Sequence, residues 1–222
     1  MGTLVRGLGC IVLLFFNFNV VWAQGQLYGM TARGGSNNQG VLFKTNADGT
    51  GQVILKDFLL SSTEIGMTPR ASLTMAANGK LYGMTYEGGS NLAGVLFEYD
   101  PGTSQYAKKK DFETNTIGGY PLGSLTLANS KLFGMASGGS NGWGTLFEYN
   151  PATDAFSKKY DFALATGALP NGSLTLASNG KLYGLAANGG SNGTGVLFEY
   201  DPVTSIYSKK VDFIRTTNGS SP

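Results

Sequence analysis

The sequence predicts an all-β protein: four-stranded antiparallel blades repeated radially as a β-propeller, with the ring incomplete or truncated. Three observations carry this. A segment of about 50 residues recurs, its core glycine standing at Gly29, Gly83, Gly134 and Gly184, steps of 54, 51 and 50 residues, and self-similarity near that period marks propeller blades among repeat architectures. Within each copy, short alternating apolar and polar stretches are separated by Asn-Gly, Gly-Gly and Asp-Pro pairs, the punctuation of strands and turns. Glycine is abundant (Gly 34 of 222 residues) without a collagen-like third-residue period, and aromatics are plentiful (Phe 13, Tyr 11); this glycine serves tight turns between packed strands.

The chain divides into a leader, residues 1–23, and a repeat domain, residues 24–222. Arg6 supplies a positive start, Ile11 to Phe16 an apolar run, and Val21-Trp22-Ala23 a small-residue cleavage site. The apolar run is too short to span a bilayer, so no transmembrane segment is expected in the mature chain. Removing the leader discards Cys10, the only cysteine, and stability must come from packing and strand pairing. The repeat domain holds a partial blade at 27–58, lacking its first strand, and full blades at 69–112, 121–162 and 170–213.

Each full unit resolves into four strands. Strand one is Ser124 to Ala128, with Ser72 to Ala76 and Ser173 to Ala177 as counterparts. Asn78-Gly79 and Asn179-Gly180 follow as two-residue type I′ turns, with Asn129-Ser130 the weaker substitute. That turn sets Met75 opposite Tyr82 and Leu73 opposite Met84, one bulky face against a face of Thr74, Ala76, Leu81 and Gly83. Neither face suits water, which is what a blade stacked between two neighbours requires. Strand two then enters the linkers GGSNNQG (34–40), GGSNLAG (88–94), GGSNGWG (138–144) and GGSNGTG (189–195). Strand three is Val95 to Tyr99, Thr145 to Tyr149 or Val196 to Tyr200. An Asp/Asn-Pro-x-Thr turn opens at Asp100, Asn150 or Asp201, where the side chain accepts backbone donors and proline pre-sets φ. Strand four carries Lys108 to Lys110, Lys158-Lys159 and Lys209-Lys210, read as lysines that keep an exposed edge from pairing. Pro222 stands where Pro69, Pro121 and Pro170 open a unit, so the expectation is either a strand that closes the ring or a longer array of which this is a piece.

The order of strand two, GG, strand three and Asp-Pro-x-Thr resembles a kelch motif in layout. It resembles more closely the Gloeo/Verruco tandem repeats of bacteria, on Tyr28-Gly29, Gly34-Gly35, Gly40 to Phe43 and Asp48-Gly49, and on Tyr82-Gly83 with Gly94 to Phe97, Phe133-Gly134 with Gly144 to Phe147, and Tyr183-Gly184 with Gly195 to Phe198. The resemblance covers residues 27–213 and implies an exported bacterial protein with no established activity. Its low copy number here points to a fragment.

Composition excludes several chemistries. The formal net charge of +2 leaves no footprint for nucleic acid. With His 0 there is no imidazole for a Ser-His-Asp triad or the usual zinc and iron sites, and no cofactor or metal is expected. Asp57, Asp111, Asp161 and Asp212 recur, as do Glu98, Glu148 and Glu199; a glycosidase needs two carboxylates across one cleft, so acids repeated once per blade read as structural. The GGSN linkers are where the copies diverge. Gly34, Gly35, Gly88, Gly89, Gly138, Gly139, Gly189 and Gly190 are their structural glycines, and Asn37, Asn91, Asn141, Asn192 and above all Trp143 are the candidate ligand contacts. Trp143 reads either as a stacking platform for a sugar or as a plug between blades. The function expected is a secreted or cell-envelope, non-enzymatic scaffold binding a glycan or an envelope protein. The alternatives are a carbohydrate-active enzyme using the non-repeated Glu64, Glu87 or Glu113, and a purely structural surface protein.

Overall fold

The computed structural model describes residues 20–23, 25–59, 63 and 65–222. These form four antiparallel sheets of four strands. The first holds β1 (Val20–Ala23), β2 (Gln26–Thr31), β3 (Val41–Thr45) and β4 (Val53–Asp57); the second β5 (Thr74–Met75), β6 (Leu81–Met84), β7 (Val95–Asp100) and β8 (Gln105–Asp111). The third holds β9 (Thr126–Ala128), β10 (Lys131–Ala136), β11 (Thr145–Asn150) and β12 (Ala155–Asp161); the fourth β13 (Thr175–Leu176), β14 (Leu182–Ala186), β15 (Val196–Asp201) and β16 (Ile206–Asp212). Each sheet is a blade whose strands follow chain order, and the set is all-β and not closed into a complete ring.

The first blade corrects the expectation of a partial copy. β1 pairs with β2, Val21 opposite Tyr28 and Trp22 opposite Leu27, so this unit has its own first strand. Val20-Val21-Trp22 combines two β-branched residues with an aromatic one, an apolar composition that suits the end of a leader and a blade strand equally well. Residues 1–19 of the expected leader lie outside the described residues. Cleavage after Ala23 would take β1 away.

The hairpin register is also corrected. In the second blade Thr74 lies opposite Tyr82 and Met75 opposite Leu81, one residue away from the predicted pairing. The reason is a three-residue loop, Ala77-Asn78-Gly79, in which Gly79 takes φ 76° and the Lys80 N–H donates to Asn78 Oδ1 at 3.1 Å. Three-residue hairpin loops of this kind end on a residue in the left-handed region. The two-residue turn with both residues at positive φ occurs instead at Asn129 (φ 49°) and Ser130 (φ 60°), where Ala128 pairs with Lys131.

The shift redistributes the faces. Leu73, Leu81, Gly83, Phe97 and Tyr99 share one face, here the phenylalanine face, while Tyr82, Met84, Leu96 and Glu98 share the glutamate face. Bulk is thus present on both, and a small residue on one strand accommodates a large one on the next. Gly83 lies under the Phe97 ring, as Gly134 lies under Phe147 and Gly184 under Phe198.

Blades stack glutamate face to phenylalanine face. Tyr28, Met30 and Leu42 of the first blade pack on Leu73, Leu81, Phe97 and Tyr99 of the second. Tyr82, Met84 and Leu96 pack on Leu125, Leu132, Phe147 and Tyr149 of the third, and Phe133, Met135 and Leu146 pack on Leu174, Leu182, Phe198 and Tyr200 of the fourth. The phenylalanine that ends each unit inserts into the next: Phe58, Phe112 and Phe162 are all fully buried. Neighbouring first strands are tied by hydroxyls, with Thr74 Oγ1 donating to the Leu125 carbonyl at 2.7 Å and Thr126 Oγ1 to the Leu174 carbonyl at 2.6 Å.

Candidate functional site

The repeated polar residues hold the blades together. Asp111 accepts from the Ser90 N–H at 2.9 Å and the Ser90 hydroxyl at 3.1 Å, and Asp212 repeats both contacts with Ser191 at 2.9 Å. Each aspartate thereby pins a GGSN linker to the end of strand four. The linker glycines permit this approach. A Cβ on Gly89, at φ 76°, would meet the Asp111 carboxylate oxygen at 2.5 Å.

The lysines of strand four are bound to these acids, which goes beyond the edge-protecting role expected of them. Lys108, Lys158 and Lys209 reach Asp111, Asp161 and Asp212 at 2.8, 2.6 and 2.8 Å. The other acid of each unit forms a second cluster across strands two to four. Glu98 takes Lys80 at 2.7 Å, Lys109 at 3.7 Å and the Tyr82 hydroxyl at 2.5 Å. Burial pushes the Glu98 carboxyl up, but the hydrogen bonds from Lys80 and Tyr82 outweigh it and hold the group below the usual carboxylate range. In the fourth blade hydrogen bonds from Tyr183 and Lys181 hold Glu199 at about 2.

The asparagines of the linkers are engaged within the chain. Asn91, Asn141 and Asn192 donate their side-chain amides to the carbonyls of Phe112, Phe162 and Phe213 at 3.0, 3.4 and 3.2 Å, while Asn37 is exposed. Trp143 is half-buried against the core between the third and fourth blades. The structure brings these five residues onto equivalent linkers of four different blades, not into one site. Of the non-repeated acids, Glu64 lies outside the described residues and Glu113 accepts from the Thr116 hydroxyl at 2.7 Å within its own turn. Among the described residues no group of three or more metal-ligating side chains is found.

The feature that breaks the repeat is a cleft of about 750 Å³ between the first and second blades. Met30 and Leu122 give it apolar surface, and Arg33 and Arg70 line it with two guanidinium groups. Local structure fixes both arginines. Thr31 Oγ1 donates to the Arg33 carbonyl at 2.8 Å, holding the turn after β2. Arg70 follows the buried Pro69, and its guanidinium lies 4.1 Å over the Tyr86 ring, which in turn meets Tyr120 at 5.3 Å. A guanidinium stacked on an aromatic face keeps its donors free in the ring plane. Neither arginine has a carboxylate partner among the described residues, whereas the strand-four lysines do.

Sequence reading missed this site because it sought divergence inside the GGSN linkers. The signal was available in the flanking positions: Arg70 stands where the later units have Leu122 and Asn171, and Tyr86 where they have Ser137 and Ala187.

A row of antiparallel blades, stacked face to face and varied at one cleft, defines a tandem-repeat β-propeller domain. The chain belongs to the Gloeobacter/Verrucomicrobia repeat family, whose model matches residues 17–141 and 136–222. The match begins upstream of β1. No curated protein matches the chain. Among solved structures it is similar to the extracellular domain of BT4673 from B. thetaiotaomicron, at 15% identity and TM-score 0.59 over 90% of this chain. It is also similar to TolB from Acinetobacter baumannii, at 10% identity and TM-score 0.55 over 83% of this chain. The chain spans 23% and 40% of those two chains. These likenesses show the propeller fold. Among the described residues no helix is long and apolar enough to cross a membrane.

Proposed function

We propose that this protein is a secreted or envelope-located, non-enzymatic binding module that holds a carboxylate-bearing glycan in the Arg33–Arg70 cleft. The observation that carries the reading is a pair of guanidiniums with no carboxylate partner among the described residues, on a cleft that Met30, Pro69 and Leu122 line beside Thr31 and Thr68. Guanidinium binds carboxylate through two parallel N–H donors, and Met30 and Leu122 offer the apolar surface that the C–H face of a sugar ring covers. The leader-like start of the sequence supports export, as does the extracellular setting of a similar propeller. The acids of the repeats are occupied by lysines and serines, which leaves them structural.

A glycan array carrying uronate oligosaccharides beside neutral oligosaccharides of the same linkage tests this. Retention of the uronate spots, lost on Arg33→Ala or Arg70→Ala and without turnover of the glycan, is the expected result. Equal retention of neutral and acidic spots, or hydrolysis of either, would contradict it.

A further inference from the structure

At the interface between the second and third blades two tyrosine hydroxyls end on carboxylates. Tyr82 donates to Glu98 and Tyr149 to Asp154, each at 2.5 Å, and the two rings lie 5.7 Å apart. Lysines balance the acids, Lys80 at 2.7 Å from Glu98 and Lys109 at 3.6 Å from Asp154.

The interface between the first and second blades has the same rings without the acids. Tyr28 and Tyr99 take the places of Tyr82 and Tyr149, 6.2 Å apart and each only 2% exposed. Lys44 stands opposite Tyr28, where Glu98 stands opposite Tyr82. Ser104, at φ 57°, holds the place of Asp154, at φ 58°. Gln26 and Leu55 replace Lys80 and Lys109, so Lys44 is the charged member of this set. Asp48, the acid of the adjoining turn, already accepts from the Thr50 N–H and hydroxyl at 2.9 and 2.7 Å. Among the described residues neither tyrosine hydroxyl has an acceptor and Lys44 has no carboxylate partner. Of the unpartnered side-chain oxygens described, that of Tyr200 is the one fully enclosed, so the Tyr28 and Tyr99 hydroxyls remain reachable from solvent.

The set is therefore all donors. Burial, with Tyr99 beside it, holds the Tyr28 phenol above its usual range, so it keeps a proton to donate. Buried donors left unmatched are costly, and an ionised acceptor between hydroxyls and an ammonium makes the stronger kind of hydrogen bond. We propose that Tyr28, Tyr99 and Lys44 bind a small carboxylate anion, which takes the place that Glu98 and Asp154 fill one interface further on. The site is separate from the Arg33–Arg70 cleft. β2 runs from Gln26 towards Arg33, which puts the tyrosines and the cleft at opposite ends of the blade, and rings 2% exposed admit a carboxylate but exclude a sugar ring.

Calorimetric titration with malonate tests this, on the full chain carrying Arg33→Ala/Arg70→Ala so that the cleft contributes nothing. Saturable binding to one site is expected, beyond that of chloride at equal ionic strength, and the Cζ resonances of labelled Tyr28 and Tyr99 should move with the same saturation. Tyr28→Phe copies Phe133 of the third blade, a residue the fold already accepts there, and should weaken binding at least about tenfold. Lys44→Glu restores the acid of the later blades and should abolish binding, because the chain then supplies its own carboxylate. Malonate that binds no better than chloride would overturn the proposal. So would binding that leaves both Cζ resonances in place, or that survives Tyr28→Phe and Lys44→Glu undiminished.

Discussion

Gly83 shows how little room a repeat position leaves. A Cβ there would lie 2.5 Å from Cζ of Phe97 and 2.9 Å from Cδ2 of Leu73, inside the contact between two blades. Gly83→Ala should therefore cost about 1–3 kcal/mol by overpacking. Gly79, in the hairpin loop, meets nothing within 4 Å but sits at φ 76°, so Gly79→Ala carries only the backbone penalty of about 1–2 kcal/mol. Denaturant midpoints of the two variants separate the two causes. If packing rules, making room with Phe97→Leu relieves Gly83→Ala and does nothing for Gly79→Ala. The acids give a second residue-scale prediction. Glu98, Glu199, Asp111 and Asp212 all have carboxyls held below their ordinary values in the folded chain. A depressed folded value stabilises the protein above the unfolded value and is lost as pH falls through the folded one. Thermal stability should thus decline progressively from about pH 4.5 towards pH 2, the window set by the ordinary and folded values of Glu199. Glu199→Gln should flatten that decline.

At the scale of elements, the GGSN linker behaves as part of strand four. Asp161 accepts from the Ser140 N–H at 3.2 Å and pairs with Lys158 at 2.6 Å, and Lys158 also donates to the Ser140 hydroxyl at 2.7 Å. Asp161→Ala should cost about 1–3 kcal/mol by leaving those donors unmatched. Its mark should be local: amide exchange rises in residues 138–144 while β10 and β11 stay protected. The strands, linkers and Asn/Asp-Pro turns of this architecture were legible in the sequence because each has a composition tied to a backbone requirement. Asp100 and Asp201 do accept from the N–H two residues on, at 2.8 and 2.9 Å. The hairpin register was not legible. Asn78-Gly79 serves a two-residue or a three-residue loop equally well, and the choice is made by Asn78, whose amide reaches the Tyr82 hydroxyl at 3.0 Å. Nor was β1, since Val20-Val21-Trp22 reads as the end of a leader until the edge of β2 is there to pair with it. The cleft escaped for a different reason. Arg70 and Tyr86 are sixteen residues apart and meet only because the approach to strand one pairs with the exit of strand two in the same blade, where the Tyr86 N–H donates to the Thr68 carbonyl at 3.1 Å.

At the scale of the whole molecule, repetition and variation divide the labour. What recurs is packing: the tyrosine and phenylalanine faces, the lysine–acid clusters and the linker aspartates appear blade after blade and stabilise the stack. What does not recur is the pair of arginines, Arg33 and Arg70, that line the cleft between the first two blades. If recognition lay in the GGSN linkers, a chain with four of them would offer several similar sites. Calorimetric titration of the full chain with a uronate oligosaccharide distinguishes these directly. The expected result is one site per chain, weakened by added salt and abolished in Arg33→Ala/Arg70→Ala while thermal stability is kept. Several equivalent sites per chain, or undiminished binding without the two arginines, would contradict it.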